Sequence, residues 1–536
     1  MNVKHVFKLL LSSCLILASA SFLLCLAGCS EKEEEDPGIP ASDFTVSNVF
    51  GSDMVVQRDE YIRIWGWAEE SENGKSVYGE FMGHKARAVI ENGAWEMVFE
   101  VRLPASKVKG NAMRIFSGDK EVVFDNVLVG DVYMVVGQSN VAYSVSDHQN
   151  NVDDLGSSDQ LDYAAPIRLF YNSLSQTANY PTRGTEEICE QVCSKSRWTK
   201  ATQAKIKTFS AIGYYFAYHY QQMTDAEIPV GLIEIDGNGL PIGTFMPNEP
   251  ANRLGTDTFD EAQGIYITVG VNAGAGRYMY NHYMAPFERY PLAGVIWYQG
   301  ESDCLPEHAV AFPEKFEALM TYMRGTHNLV NPNFPVYFVE FPSIYTQPEN
   351  FVPSATAPMW AYMETGIIRA SMGQIPRILE NSYQIVSSDL WNDRTFWNNL
   401  HPNCKYEQAE RIAKTVLAVT GVKCTLPECA GPKVIASEFS ADGKSVVLTY
   451  DYVGEGLKTS DGGTAVRGFW AVDNYLLPNG VKILSAEITA KNQVTVTCDD
   501  VITALVYHNV GTNYFGDEIN LCNSYGIPAG ATAAIK

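Results

Sequence analysis

The stretch VYMVVGQSNVAYS, residues Val132–Ser144, decides how this chain is read. A largely apolar run ends at Gly137, and the chain turns polar at Gln138, Ser139 and Asn140. An apolar run of that length reads as a buried strand, and the glycine marks its end. Ser139 is therefore expected at a strand tip, either as an ordinary turn residue or as a nucleophile.

Further apolar runs of the same kind follow: IPVGLIEI, LAGVIWYQG, FPVYFVEF and SYQIVSSD. Helical patterns separate them. In KYEQAERIAKTVLAVT, Ala409, Ile412, Ala413 and Val416 recur at the spacing of one helix face. Strands alternating with helices predict an α/β domain over residues 127–425, with a mostly parallel sheet flanked by helices. On either side the rhythm is all-β. Residues 44–126 read as an N-terminal β-sandwich, with Asn92-Gly93 as a hairpin turn, and residues 426–536 as a C-terminal one.

In an open α/β sheet the ligand lies beyond the carboxyl ends of the strands. The turns expected there are polar and glycine-rich: Gly137 to Asn140, DGNGLPIG (Asp236–Gly243), WYQGESD (Trp297–Asp303) and the segment carrying Asp389, Asn398 and His401. Each supplies something an ester hydrolase needs. A serine hydroxyl requires a base within hydrogen-bond reach, and His401 can take and return that proton. Oxyanion donors of the right kind are the Ser139 N–H, the Gly239 N–H and the Gln299 side-chain amide. Taken singly, each residue reads more naturally as a turn, cap or loop residue, and Val141 stands where a nucleophile elbow has its second glycine. Their joint occurrence at strand ends favours the catalytic reading.

These blocks resemble the sialate O-acetylesterase family of SGNH hydrolases. GDVYMVVGQSNVAYS resembles its nucleophile block, WYQGES its second block, and His401-Pro402 with Lys405 its last. VFGSDMVVQRDEYIRIWGWA, FSAIGYYFA and CNSYGIPAG resemble family segments outside the site. The resemblance implies an SGNH-type fold, Ser139 as nucleophile, His401 as base, and Gly239 with Gln299 as oxyanion partners. Two departures stand out. The glycine block reads Gly237 to Phe245 with Asn238, Leu240 and Phe245 in its wall, and Asn398 stands where many such hydrolases carry an aspartate. Asp389, Asn398, Glu301 and Asp393 all remain open as the residue that orients His401.

The expected activity is carbohydrate O-acetyl ester hydrolysis, first on sialic acids, with acetylated xylan or xyloglucan as the enzymatic alternative. A non-catalytic glycan-binding surface lipoprotein is the alternative of another class. No metal or cofactor is called for: no C-x-x-C pair occurs, and Cys304/His308 lies far along the chain from His401/Cys404.

The chain has 536 residues and a net charge of −23, which argues against a nucleic-acid partner. Residues 1–28 read as a lipoprotein signal peptide. Lys4 and Lys8 precede an apolar stretch, and LAGC resembles a bacterial lipobox ending at Cys29, the expected lipidation site. The acidic residues 29–43 read as a tether. An exported lipoprotein is expected, periplasmic or on the cell surface, touching membrane only through its lipid anchor. Cys189 with Cys193 and Cys424 with Cys429 lie close enough in sequence to form disulfides.

Overall fold

The computed structural model describes residues 38–106, 109–150, 166–171, 186–193, 195–261, 265–268, 275–326, 331–341, 365–390, 401–507, 516 and 518–536. The leader with Cys29, and the segment carrying Asp393 and Asn398, lie outside the described residues.

A large mixed sheet with helices forms the centre. Its strands are β1 (Lys120–Gly137), β2 (Ile167–Tyr171), β3 (Arg197–Lys200), β4 (Val230–Asp236), β5 (Gly294–Tyr298), β6 (Val336–Val339) and β7 (Ser382–Ile385). They lie side by side in the order β3-β2-β4-β1-β5-β6-β7. All neighbours run parallel except the edge strand β3. The apolar runs predict these strands because both sheet faces are covered: every residue of β4 and β5, and Val132–Gly137 of β1, is buried.

The order has a consequence for function. From β1 the chain builds β2 to β4 on one side and then β5 to β7 on the other. Strand β1 is thus the switch point, where a crevice opens at the carboxyl ends. The register places the ends of three strands abreast, with Asp236 of β4 and Tyr298 of β5 both opposite Gly137 of β1. A Cβ on Gly137 would stand 2.1 Å from the Tyr298 carbonyl oxygen, so only glycine permits this approach.

Helix α1 (Ser139–Ala142) starts directly after β1, followed by α2 (Val145–Asn150), α3 (Ala211–Met223), α4 (Pro306–Thr326) and α5 (Lys405–Val419). Helix α3 begins on Ser210, whose Oγ accepts from Gly213 N–H, and it packs against α5. The predicted Ala409, Ile412, Ala413, Val416 stripe is the buried face of α5.

Strand β1 also runs unbroken through positions 126–127, where the change of pattern marks a domain boundary. Its first half pairs antiparallel with Asn111–Ser117, and Leu128–Gly130 pairs parallel with Val55–Gln57. One apolar core accordingly spans the N-terminal strands and the central sheet. At Asn92-Gly93 both φ angles are positive (52° and 73°), and Glu91 and Ala94 exchange two backbone hydrogen bonds, as a two-residue hairpin turn requires. Residues 433–498 contribute a four-stranded antiparallel sheet with its own core cluster.

Neither pair of cysteines that lies close in sequence is bonded: all eight cysteines from Cys189 to Cys522 are free thiols, and Cys429 donates to Thr425 O. Among the described residues no helix is long and apolar enough to cross a membrane.

Candidate active site

Ser139 is half-buried at the first position of α1, between the buried Gln138 and Asn140. Val141 and Ala142 N–H donate to Gln138 O, and Tyr143 N–H to Ser139 O. First-turn amides have no acceptor within their own helix, so the Ser139 N–H is a donor that helix geometry leaves over.

The neighbouring turns are stitched to this one. Gln138 Oε1 accepts from Gln299 Nε2 at 3.3 Å and from Ser302 N–H at 3.4 Å. Gln299 Nε2 also donates to Leu240 O (3.1 Å) and Asp303 Oδ2 (2.7 Å), and Asp303 Oδ2 accepts Ile242 N–H at 2.8 Å. Ser302 Oγ donates to Gly239 O at 2.8 Å, and Gly237 N–H to Gly137 O at 3.0 Å. Gly239 has φ of +69°, a left-handed conformation that favours glycine. Ser139, Gly239 and Gln299 thus stand on three turns joined by side-chain bonds. The fully buried Gln299 amide, read from the sequence as an oxyanion donor, has its two hydrogens facing three acceptors. It can serve an oxyanion only by releasing one of them.

His401 reaches the same place from a distant part of the chain. The Tyr143 ring lies parallel to its imidazole, at 6.1 Å between centroids. The turn after His401 is held by Lys405 Nζ donating to Pro402 O (3.0 Å), by Tyr143 OH donating to Asn403 Oδ1 (3.1 Å) and by His148 Nε2–H donating to Asn403 O (3.0 Å). A carbonyl only accepts, so His148 carries its proton on Nε2, and its Nδ1 faces Tyr215 OH at 3.3 Å. Burial foremost, then the Lys405 charge, pushes the His401 pKa down to about 4. Among the described residues its buried Nε2 has no hydrogen-bond partner, and no Ser139–His401 hydrogen bond is formed. Such bonds are commonly long or absent until substrate arrives.

A further buried group joins these parts. Asn140 Nδ2 donates to Glu301 Oε1, and Asn140 Oδ1 accepts from Lys405 Nζ at 2.7 Å. Burial pushes Glu301 up to about 7 and Lys405 down to about 8.

Both oxygens of Asp389 are taken by Arg411, Oδ1 by Nη1 at 2.7 Å and Oδ2 by Nη2 at 2.8 Å, and it makes no hydrogen bond to His401 among the described residues. Glu301 is bound to Asn140. The sequence reading gave no role to Tyr143, although it lies in the GQSNVAYS stretch, or to His148, because both meet the His401 turn only through tertiary contact. Among the described residues no group of three or more His, Cys, Asp or Glu side chains gathers to hold a metal ion.

Residues 129–372 match the family model described as carbohydrate esterase, sialic acid-specific acetylesterase. The sialate O-acetylesterase of Pongo abelii is 24% identical over 387 residues, 69% of this chain and 69% of its own. That of Homo sapiens is 22% identical over the same shares. A solved structure described as a novel carbohydrate acetylesterase from Xanthomonas citri shares the fold, with a TM-score of 0.68 at 22% identity over 92% of this chain and 99% of that one. Through residues 129–372, which carry the Ser139, Gly239 and Gln299 turns, the chain is similar to the sialic acid-specific acetylesterase family of carbohydrate esterases.

Proposed function

We propose that this protein is a carbohydrate O-acetylesterase that hydrolyses acetyl esters, foremost those of sialic acids, through an acetyl-serine intermediate on Ser139. The observation that carries this reading is the convergence of Ser139, Gly239 and the His401 turn on one end of the sheet, with Tyr143 touching His401 one helical turn from Ser139. The sialate O-acetylesterases among its relatives support an acetylated glycan as the substrate.

His401 takes the Ser139 proton as Oγ bonds to the acetyl carbon. The oxyanion is met by the Ser139 and Gly239 N–H groups, and by Gln299 if its amide turns. The bond between the acetyl carbon and the sugar oxygen then breaks, leaving acetyl-serine, and His401 returns the proton to the leaving sugar oxygen. Water repeats the sequence in reverse and releases acetate. With Asp389 bound to Arg411, Asn398 is the proposed partner of the far imidazole nitrogen. Asn holds a tautomer but stabilises an imidazolium less than a carboxylate does.

The reading extends to the ends of the chain. Residues 44–126 and 426–536 are proposed as all-β modules flanking the esterase core, supported by their antiparallel sheets. Cys29 is proposed as the lipid attachment point of an exported lipoprotein.

Acetate release from O-acetylated sialic acids, acetyl xylan and acetylated xyloglucan, beside an aryl acetate, tests the activity and its substrate together. Release from the sialic acids that is lost in Ser139→Ala is the expected result. Release only from the plant glycans moves the substrate. An aryl acetate that is not turned over, or is turned over equally by Ser139→Ala, overturns the mechanism.

A further inference from the structure

A buried lysine is costly unless its charge and its donors are met. Lys405, the first residue of α5, is 0% exposed. Its ammonium donates to Asn140 Oδ1 at 2.7 Å and to Pro402 O at 3.0 Å, and lies 5.4 Å from the Tyr143 ring centroid and 5.1 Å from that of Tyr298. Both distances are within cation–π range. Every one of these contacts is to a part of the site. Asn140 follows the nucleophile, Pro402 follows His401, Tyr143 lies against His401, and Tyr298 ends β5.

The orientation of Asn140 is dictated from both sides. An ammonium can only donate, so it faces the amide oxygen; the Glu301 carboxylate faces the amide nitrogen. The amide therefore bridges a buried cation and a buried acid, which fixes the rotamer of the residue next to Ser139. Glu301 belongs to the Gln299 turn, so the bridge spans three segments that are remote in sequence.

We propose that Lys405, bridged to Glu301 by the Asn140 amide, is the positioning residue that joins the His401 turn to the Ser139 helix and sets their mutual placement. This rests on the reading of Ser139 and His401 as nucleophile and base. A second consequence is electrostatic: the ammonium sits near the imidazole and opposes its protonation. The described groups around this position are Lys405, Glu301, Cys404, His148 and the phenols of Tyr143 and Tyr298, and among the described residues Lys405 is the charge that acts on His401.

The test compares Lys405→Met, Asn140→Ala and the double variant in kcat and KM on an aryl acetate. Beside this, NMR follows the His401 imidazole titration, assigned by its loss in His401→Gln. In Lys405→Met, kcat is expected to fall about tenfold or more with KM held within about twofold, and the His401 midpoint to move to higher pH. Asn140→Ala is expected to lower kcat similarly, and the double variant to be no worse than the worse single, because the residues act as one unit. An unmoved His401 midpoint in Lys405→Met, or losses that multiply in the double variant, overturns the proposal. If Lys405→Met does not fold, Asn140→Ala decides: a lower kcat at constant KM supports the clamp, and an unchanged kcat refutes it. A wild-type protein without turnover defeats the esterase reading instead, and the clamp is then judged by the titration midpoint alone.

Discussion

The ring of Tyr143 lies parallel to the imidazole of His401, with an angle of 5° between their planes, although 258 positions separate the two residues in the chain (401 − 143). Tyr143 closes the first turn of the Ser139 helix through its N–H to Ser139 O, and its hydroxyl donates to Asn403 Oδ1. The same side chain thus lies alongside His401 and holds the loop beyond it.

Two substitutions separate these roles. Tyr143→Phe keeps the ring and loses one hydrogen bond, a net cost of about 1 kcal/mol in stability, with kcat changed by no more than a few fold. Tyr143→Ala removes the surface against His401 and is expected to lower kcat by about tenfold or more. Urea unfolding and initial rates on an aryl acetate measure both. Equal rates in the two variants would deny the ring any part in placing the base.

Burial, and then the Lys405 charge, lower the His401 pKa to about 4, from an ordinary value near ~6.5. In the proposed mechanism the base is the neutral imidazole, so its fraction is full above that value and is lost as pH falls through it. The expected kcat/KM profile is flat down to about pH 5 and then falls with a midpoint near the lowered pKa. A rate profile over pH 3.5 to 8, on a substrate that does not itself titrate there, checks this. An acid limb centred near pH 6.5 would mean that the imidazole is solvated in the working enzyme.

Asp389 sits where the sequence allows a triad acid, yet its two oxygens face the Arg411 guanidinium. A bidentate pair that is partly buried holds α5 to the end of β7, and breaking it costs stability rather than chemistry. Asp389→Asn is therefore expected to lose about 1–2 kcal/mol of unfolding free energy while kcat stays within about twofold. Replacing a true triad carboxylate by amide costs about ten-thousand-fold. A loss of that size in kcat would return Asp389 to the catalytic group.

The contrast between Asp389 and the strand tips shows what a sequence discloses. A buried strand is a local property: VYMVV, GLIEI and GVIWY are apolar apart from Glu234 because both faces of a central parallel strand are covered, and a glycine or polar turn ends each. The end of β1 was legible for that reason, and so were the turns that carry Gly239 and Gln299. The boundary at 126–127 was not, because β1 changes from a strand exposed on alternate residues to one buried on both faces without breaking its backbone. Side-chain partners were also hidden. Nothing within a few residues of Asp389 distinguishes pairing with Arg411 from pairing with His401, and nothing near His148 announces its bond to Asn403 O. Such bonds depend on which turns the sheet brings abreast.

Asp303 offers the sharpest check on the glycine loop. Its Oδ2 accepts both Gln299 Nε2 and the Ile242 N–H, and it is 1% exposed, so water does not replace it. Asp303→Ala leaves the buried Ile242 N–H unpaired and takes one of three acceptors from the Gln299 amide, at a cost of about 1–3 kcal/mol. Ser302→Ala removes one bond, to Gly239 O, and should cost about 1 kcal/mol. If the Gly239 N–H meets the oxyanion, both variants lower kcat, Asp303→Ala more, because the loop that presents Gly239 loses its ties. Denaturant unfolding with kcat on an aryl acetate follows the two effects together. A folded Asp303→Ala protein with wild-type kcat would remove the glycine loop from the reaction and leave the Ser139 N–H as the remaining donor.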